Sequence, residues 1–579
     1  MGPARAPASA RRRRLLPALA VFACACAFVV QSPGWAQTSY MALSKGLSRG
    51  TAQIDPWHWE THDIAWHDGH YYSVKPPGLV LATLPLYETL RAAGAERVAH
   101  EARVRAESDG GTPWAARTLP LSSYGFDRER AITARAAIAD SAPMTWALGL
   151  LGVLLPALVL LVLVARLTNR VAPGTGTAAA LTLGAATMVL PFSTLYFSHL
   201  LSAVLAFGAF ALAWGAREGP SRPGRLAVAG LLAGLAIVCE YPLAITAIVV
   251  GVYAISGHRG GVVGRAAAYG AGVAAGVAPL LAYQWWAFGS PLHTSYVGAV
   301  AQAGFGGHDV LGLNDAGVFG ITAPRLGDGL ALLFGGRGLL TLAPVLVMAI
   351  AGVVALHREG RRAESRTIAA VALAYLVYNA GYWLPFGGGS PGPRFLIPVL
   401  PFLAIGLGPA WRRWPAVTLA LAAISATTMV AATMSYPMIG TEDPGEWVRR
   451  MLDAGLFQHS VLDLVGIAHG VVSILPFVAL VAIALAIGVS SLGRAHLAVG
   501  AGRARAAIAV WALCAVVLPR PLALPSGGAL TLIAAAAVVG LAAVACATMS
   551  ARRDPSAQQE EHRAAAPLAL EVQPAQRSG

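Results

Sequence analysis

The sequence predicts an all-α integral membrane protein of about fourteen transmembrane helices, with an extended extracytoplasmic loop after the first of them. Three observations lead there. Apolar residues come in long charge-free blocks, such as Ala147 to Ala165 and Ala529 to Ala547, close to the roughly 20 residues a helix needs to cross hydrocarbon. Hydrophobic residues make up 56% of the chain and charged residues only 12%, which excludes an ordinary soluble domain. Arginines recur in alternate turns between the blocks, as expected of loops on the inner side. The spans are helical because only helices and closed barrels satisfy backbone groups in lipid, and the short alternating segments of a barrel are absent.

The first span, 15–33, follows Arg11 to Arg14 and ends before Pro33-Gly34-Trp35-Ala36. Trp35 is bulky where a signal-peptide cleavage site wants a small residue, so the span is read as uncleaved with the N-terminus inside. The later spans are expected at 143–166, 174–193, 198–215, 224–239, 242–256, 266–286, 338–356, 367–384, 395–411, 415–433, 468–491, 506–519 and 529–548. Arginine placement tests this independently of hydropathy. Loops expected inside carry Arg166 and Arg170, Arg217 with Arg222 and Arg225, Arg358 with Arg361 and Arg362, Arg412-Arg413, and Arg552-Arg553. The segment 506–519, bracketed by Arg505 and Arg520, is short for a full crossing.

This organisation divides the chain into six parts. Residues 1–36 are a cytoplasmic N-terminus and first span, 37–141 the first extracytoplasmic loop, and 142–434 a multi-span core. Residues 435–467 form a second extracytoplasmic loop, 468–551 the C-terminal spans, and 552–579 a polar tail read as disordered and cytoplasmic. The outer region at 287–337 is likewise too long for a turn, and loops of such length are usually functional. Inside the first loop, Gly78 to Gly94 reads as a surface helix with Leu79, Leu86 and Leu90 on one face and Pro85 kinking it or delaying its start. The cellular location that follows is the plasma membrane, with both termini cytoplasmic.

The net charge of +14 does not point to nucleic acid, because the same arginines serve membrane topology. All five cysteines fall inside expected spans, which leaves neither a disulfide framework nor a zinc motif. No glycine-rich phosphate loop precedes a helix, so a cytosolic nucleotide donor is not expected.

The densest polar cluster runs from Ile54 to Gly78 and compresses Asp55, His58, Glu60, His62, Asp63, His67, Asp68, His70, Tyr71, Tyr72 and Lys75 beside an apolar wall. A carboxylate there is suited to act as general base toward a hydroxyl, and Lys75 to neutralise a phosphate at headgroup level. The competing reading is a solvated loop whose aromatics sit at the interface. His58 and His62 have the i, i+4 spacing that ligates zinc on a helix, but Pro56 and Gly69 bracket a stretch that need not be helical. No metal ligands are therefore assigned, and a divalent metal is left open. Arg394, in a Gly- and Pro-rich turn at the outer edge, suits bidentate phosphate recognition, with a snorkelling helix cap as the alternative. Arg337 in Gly335-Gly336-Arg337-Gly338 has the same two readings. Glu240 is an ionisable residue between two apolar halves, either functional or an interfacial cap. His199 near an outer helix end reads first as a packing residue.

The run Asp68-Gly69-His70-Tyr71-Tyr72-Ser73-Val74-Lys75-Pro76-Pro77-Gly78 with Pro85-Leu86-Tyr87 resembles the first periplasmic loop of membrane proteins with the C-type glycosyltransferase fold. These include the protein O-mannosyltransferase and aminoarabinose transferase superfamily, and the likeness is to its bacterial branch. Tyr196-Phe197-Ser198-His199, Glu240-Tyr241-Pro242, Phe288-Gly289-Ser290-Pro291, Arg337-Gly338-Leu339 and Gly387-Gly388-Gly389-Ser390-Pro391-Gly392-Pro393-Arg394 extend the resemblance in order over about residues 37–410. It implies an enzyme that moves a sugar, with inversion, from a polyprenyl-phosphate donor in the membrane to an extracytoplasmic acceptor. Some members use a divalent ion and others do not. The family's Lys-Pro element, which faces the donor phosphate, matches Lys75, and Arg394 and Arg337 join it as phosphate candidates. The family places its catalytic Asp directly after the first span, where this chain has Trp35-Ala36-Gln37-Thr38, so Asp55 and Asp63 are the nearest candidates. Asp68, His70, Tyr71, Tyr72, Glu240 and His199 complete the candidate substrate site. The alternatives are a non-catalytic envelope protein that binds lipid carriers and a transporter or flippase, which would place ionisable residues near the bilayer midplane.

Overall fold

In a computed structural model the described residues are 8–108, 128–219, 223–256, 261–300, 317, 320–440, 443–519 and 525–552. The expected tail beyond Arg552 and parts of the three long outer regions lie outside them. Every expected span carries helix, and the chain is a multi-pass, all-α membrane protein with a few short strands. Among the described residues six helices are long and apolar enough to cross a membrane, or up to eight if each of two bent pairs is one span. The expected count of about fourteen is therefore not reproduced as full crossings. The segment expected at 174–193 is divided into Gly176–Ala185 and Val189–Phe192, and that at 506–519 is the 17-residue helix Ala501–Val517.

The two bent pairs matter for the site. Leu326–Leu342 and Val345–Arg358 meet at 94°, and Arg394–Ala404 and Leu407–Arg413 at 54°. Pro344 accounts for the first bend, since it cannot donate to the preceding turn. Elsewhere small residues set the packing. Pro223–Cys239 and Val262–Phe288 lie so close that a Cβ on Gly230 would strike the Tyr269 carbonyl, and one on Gly272 the Ala227 carbonyl. Such backbone approach is how helices associate without a hydrophobic drive between them.

The region expected as a loop after the first span is largely built. Val29–Val30 (β1) follows the helix Ala8–Phe28 and pairs antiparallel with His459–Ser460, joining the first span to the second outer loop. A helix begins at once, Trp35–Leu47, capped by Gln37, whose Oε1 accepts from the Gly34 amide at 2.8 Å. A 3-10 turn Asp55–Glu60 leads into a hairpin of Ile64–His67 (β2) and His70–Ser73 (β3). Its turn is Asp68-Gly69, both with positive φ (46° and 86°), the conformation of a two-residue type I′ turn. Ala299–Val300 (β4) pairs with β2 from the other side, so the loop after Phe288 is docked on the hairpin. The surface helix expected over 78–94 is Gly78–Ala92, with Pro85 accommodated inside it.

The helices have two chemically distinct ends. The helix His199–Glu218 spans 20 residues, about 30 Å at 1.5 Å per residue. At its far end Glu218 accepts from Arg170 at 3.3 Å and Arg361 at 2.8 Å, while Glu359 nearby in the chain pairs with Arg412 at 2.8 Å and Arg413 at 2.6 Å. The arginine-bearing turns read as one side of the membrane are thus tied together. His199 opens the same helix at the opposite end, where the hairpin lies.

Candidate active site

The antiparallel register builds the centre of the site. Ile64 pairs with Ser73 at the open end of the hairpin, so the residues just outside it, Asp63 and Lys75, emerge side by side. The Lys75 Nζ lies 2.6 Å from the Asp63 Oδ2, both side chains being 15–17% exposed. Ser39 on the helix Trp35–Leu47 fixes this end, donating to the Asp63 carbonyl at 2.6 Å and lying 2.7 Å from the Ser73 hydroxyl. After Lys75 the chain turns through Pro76-Pro77-Gly78 onto the end of Pro223–Cys239. A Cβ on Gly78 would meet the Cys239 nitrogen and the Val238 carbonyl at 2.7 Å. Glycine is required by that approach, and it sets Lys75 beside Glu240.

Glu240 is 6% exposed and follows directly on that helix. It accepts from the Ser198 hydroxyl, and its Oε1 is 3.1 Å from the His199 Nδ1. Ser198 in turn lies 2.6 Å from the Tyr40 hydroxyl. Because Ser198 spends its proton on Glu240, Tyr40 donates to Ser198, and the chain of donors ends on an ionised carboxylate. His199 is 4% exposed, stacks on Phe197 with ring centroids 5.6 Å apart, and has Phe395 edge-on at 5.9 Å. Its Nε2 is buried without a hydrogen-bond partner.

Arg394 is 9% exposed and opens a 3-10 turn after the Gly-rich segment. Gly387 and Gly388 have φ of +77° and +92°, and a Cβ on Gly387 would lie 2.8 Å from the Arg394 Nε, so the turn admits no side chain there. The guanidinium lies over the rings of Phe197 at 5.3 Å and Phe395 at 5.6 Å. Asp63 and Glu240 are the carboxylates that act on it, yet neither makes an ion pair with it and its Nε is unpartnered. Arg337 is differently employed. Its Nη1 donates to the carbonyls of Gly388 at 2.9 Å and Ile439 at 3.0 Å, and the group lies 4.6 Å from the Phe386 ring. Arg337 therefore braces the turn that carries Arg394.

The structure thus brings Asp63, Lys75, Glu240, His199 and Arg394 into one place, and it leaves Asp55, Asp68, His70 and Tyr71 elsewhere. Asp55 accepts from the Tyr71 amide at 2.7 Å and the His70 Nδ1 at 2.9 Å, about four residues or ~13 Å along the strand from Asp63. Asp68 sits at the hairpin tip, its side chain 86% exposed. Tyr72 is buried against Phe288, ring centroids 4.9 Å apart. The histidines of the hairpin region point to separate partners: His58 stacks on Tyr71 at 4.1 Å, His62 on Trp35 at 3.7 Å, and His67 lies 4.5 Å from His293. Among the described residues no three His, Cys, Asp or Glu side chains converge as metal ligands. Burial pushes the His293 imidazole below its ordinary pKa, neighbouring His67 adding to the effect and Asp68 opposing it. Tyr40 and Ser39 had no sequence signal of function. They lie on a helix placed where a loop was expected, and only the three-dimensional arrangement reveals them.

No family model and no curated protein matches the chain. Among solved structures it is similar to ArnT from Cupriavidus metallidurans bound to undecaprenyl phosphate, at 14% identity over 92% of this chain and 88% of that one, with a TM-score of 0.47. The apo state of the same protein gives 16% identity over 85% and 78%, with a TM-score of 0.45. The oligosaccharyltransferase of Archaeoglobus fulgidus in the apo form gives 12% identity over 83% and 56%, with a TM-score of 0.39. At identities this low the residue assignments rest on this chain's own geometry.

Proposed function

We propose that this chain is a membrane glycosyltransferase of the C-type fold that takes a sugar from a polyprenyl-phosphate donor and transfers it, with inversion, to an extracytoplasmic acceptor. The observation that carries the reading is Arg394, a guanidinium 9% exposed that makes no hydrogen bond or ion pair among the described residues. A buried cation without a partner is costly, and a planar fork of donors is matched by phosphate. Lys75 supplies a second cation whose ion pair is with Asp63 alone.

In this reading Lys75 and Arg394 hold the donor phosphate, and their charge grows in value as the sugar–phosphate bond breaks and negative charge gathers on the leaving phosphate. Asp63 keeps the Lys75 ammonium aimed into the site, and Arg337 keeps Arg394 in place through the turn at Gly388. Inversion follows from a single displacement, the acceptor entering opposite the phosphate. The lipid tail lies along the apolar flank of the helices while phosphate and sugar meet the polar loop at the interface. Both termini are then on the arginine-rich, cytoplasmic side.

The test is transfer of radiolabelled sugar from polyprenyl-phosphate donors to a membrane extract. Lys75→Ala and Arg394→Ala should each cost about 100- to 1,000-fold in rate, with Asp55→Asn close to wild type. A wild-type chain that binds undecaprenyl phosphate and transfers nothing from any donor would instead be a non-catalytic carrier-binding protein.

A further inference from the structure

We infer that His199, oriented by Glu240, is the general base that takes the proton of the acceptor hydroxyl; this deepens the glycosyltransferase reading and rests on it. Such a transfer needs a base far more than an acid, since the departing phosphate is stable as an anion while a hydroxyl nucleophile must lose its proton. Asp63, the carboxylate nearest Lys75, is committed to an ammonium at 2.6 Å, which weakens it as a proton acceptor.

His199 is free of that conflict. A carboxylate accepts but cannot donate, so the 3.1 Å contact fixes the imidazole proton on Nδ1 and leaves Nε2 as an acceptor. That nitrogen is buried and has no partner, a condition that costs free energy unless a ligand completes it. Glu240 also receives the Ser198 hydroxyl, which receives the Tyr40 hydroxyl, so its position is held by two further elements. This is the arrangement in which a carboxylate sets the tautomer of a histidine and stabilises the imidazolium that forms. Phe192 and Phe197 around the ring are buried and Phe395 is half-buried, so of the three rings Phe395 is the one partly open to its surroundings. The other charged and titratable groups around it are Lys75, Arg394, Asp63 and Tyr40.

In the step, the acceptor O–H bond breaks and its proton passes to Nε2. The acceptor oxygen forms a bond to the anomeric carbon, the carbon–oxygen bond to phosphate breaks, and its electron pair leaves with the polyprenyl phosphate. The imidazolium then returns its proton to solvent.

The experiment uses the full chain in lipid nanodiscs, with radiolabelled polyprenyl-phosphate sugars as donors, membrane extract as acceptor and undecaprenyl phosphate alone as the binding probe. His199→Ala should lower kcat by about 100- to 10,000-fold while undecaprenyl phosphate affinity changes less than twofold. Added imidazole should restore part of the rate in His199→Ala and none in Lys75→Ala. Glu240→Gln, which keeps shape and volume, should lower kcat and move the midpoint of the pH–rate profile, a response that a purely structural Glu240 would not give. Should His199→Ala fail to fold, His199→Gln and Glu240→Gln carry the same test. The inference is overturned if His199 variants keep kcat within twofold, if they lose lipid affinity in proportion to rate, or if imidazole rescues Asp63→Ala instead. Absence of transfer by the wild-type chain would bring down the glycosyltransferase reading and this inference with it, and is told apart from the other outcomes by that control.

Discussion

Replacing Arg394 with Met separates a ligand-binding guanidinium from a structural one. Breaking a buried ion pair by removing one partner costs about 3–5 kcal/mol, because the other charge is left uncompensated. Arg394 makes no such pair: Asp63 already holds Lys75 at 2.6 Å, and Glu240 already receives Ser198 and His199. What the variant loses is attraction to the rings of Phe197 and Phe395 at 5.3 and 5.6 Å, about 1 kcal/mol each. What it gains is relief from desolvating an unpaired cation, a term of similar or larger size. Apo stability should therefore stay within about 1 kcal/mol of wild type. Undecaprenyl phosphate at 100 times its Kd should stabilise the wild-type chain by about 2.7 kcal/mol and leave Arg394→Met nearly unmoved. Thermal unfolding in detergent, with and without the lipid, reads both quantities. A loss of about 3–5 kcal/mol without lipid, or a full lipid response in the variant, would refute the reasoning.

Three further outcomes follow from the same geometry. Asp55→Asn should loosen the hairpin by about 1 kcal/mol, since the carboxylate is 38% exposed and its bonds to Tyr71 and His70 are only weakened, and should leave transfer within a fewfold of wild type; Asp63→Asn should cut it much further. Gly78→Val should reduce kcat more than stability, because the new side chain must push the start of Gly78–Ala92 off the Val238–Cys239 backbone and carry Lys75 away from Glu240; unchanged kcat in the transfer assay would remove Gly78 from the argument. Burial alone would raise the pKa of Asp463, but the His459 ring at 3.6 Å and hydrogen bonds from the Ser460 amide at 2.7 Å and hydroxyl at 3.1 Å hold it at about 2. A carboxyl depressed in the folded state stabilises above its unfolded value and loses that contribution as pH falls through the folded one, so about 2 kcal/mol should disappear between pH 4 and 2 in unfolding measurements, and Asp463→Asn should flatten that limb.

The membrane class and the helices inside the apolar blocks were legible because hydrocarbon imposes a long apolar block on any spanning segment, whereas Trp35–Leu47 and Ala95–Ser108, which carry no such block, were not. The number of full crossings was not legible, because block length does not reveal where a helix such as Gly176–Ala185 stops short or where Leu326–Leu342 bends by 94°. Lys75, Glu240, Arg394 and His199 could be singled out as polar residues at apolar edges, where their presence is costly. Choosing between Asp55 and Asp63 could not be done from spacing. Both lie in one dense polar run, and the strand register alone sends one to Lys75 and the other to His70. Arg337 and Arg394 look alike in sequence, each following glycines. They differ because the Gly388 and Ile439 carbonyls reach one and not the other.

The same comparison explains why a buried cation, a buried histidine and a glycine-rich turn belong together. Gly387 and Gly388 leave room for the Arg394 side chain and for backbone with positive φ, and Arg337 holds the Gly388 carbonyl so that this permissive turn keeps one shape. Arg394 and His199 then share the rings of Phe197 and Phe395, so in the proposed reaction a phosphate on the guanidinium would lie near the imidazole. Lys75 enters from a different element, fixed by Ser39 and Gly78. The segments that carry Lys75 and Arg394, far apart in sequence, are each held at their backbone, one by Ser39 and the other by Arg337. The proposed reaction would draw on that, since charges which hold their positions without the substrate need not be reorganised when the bond breaks.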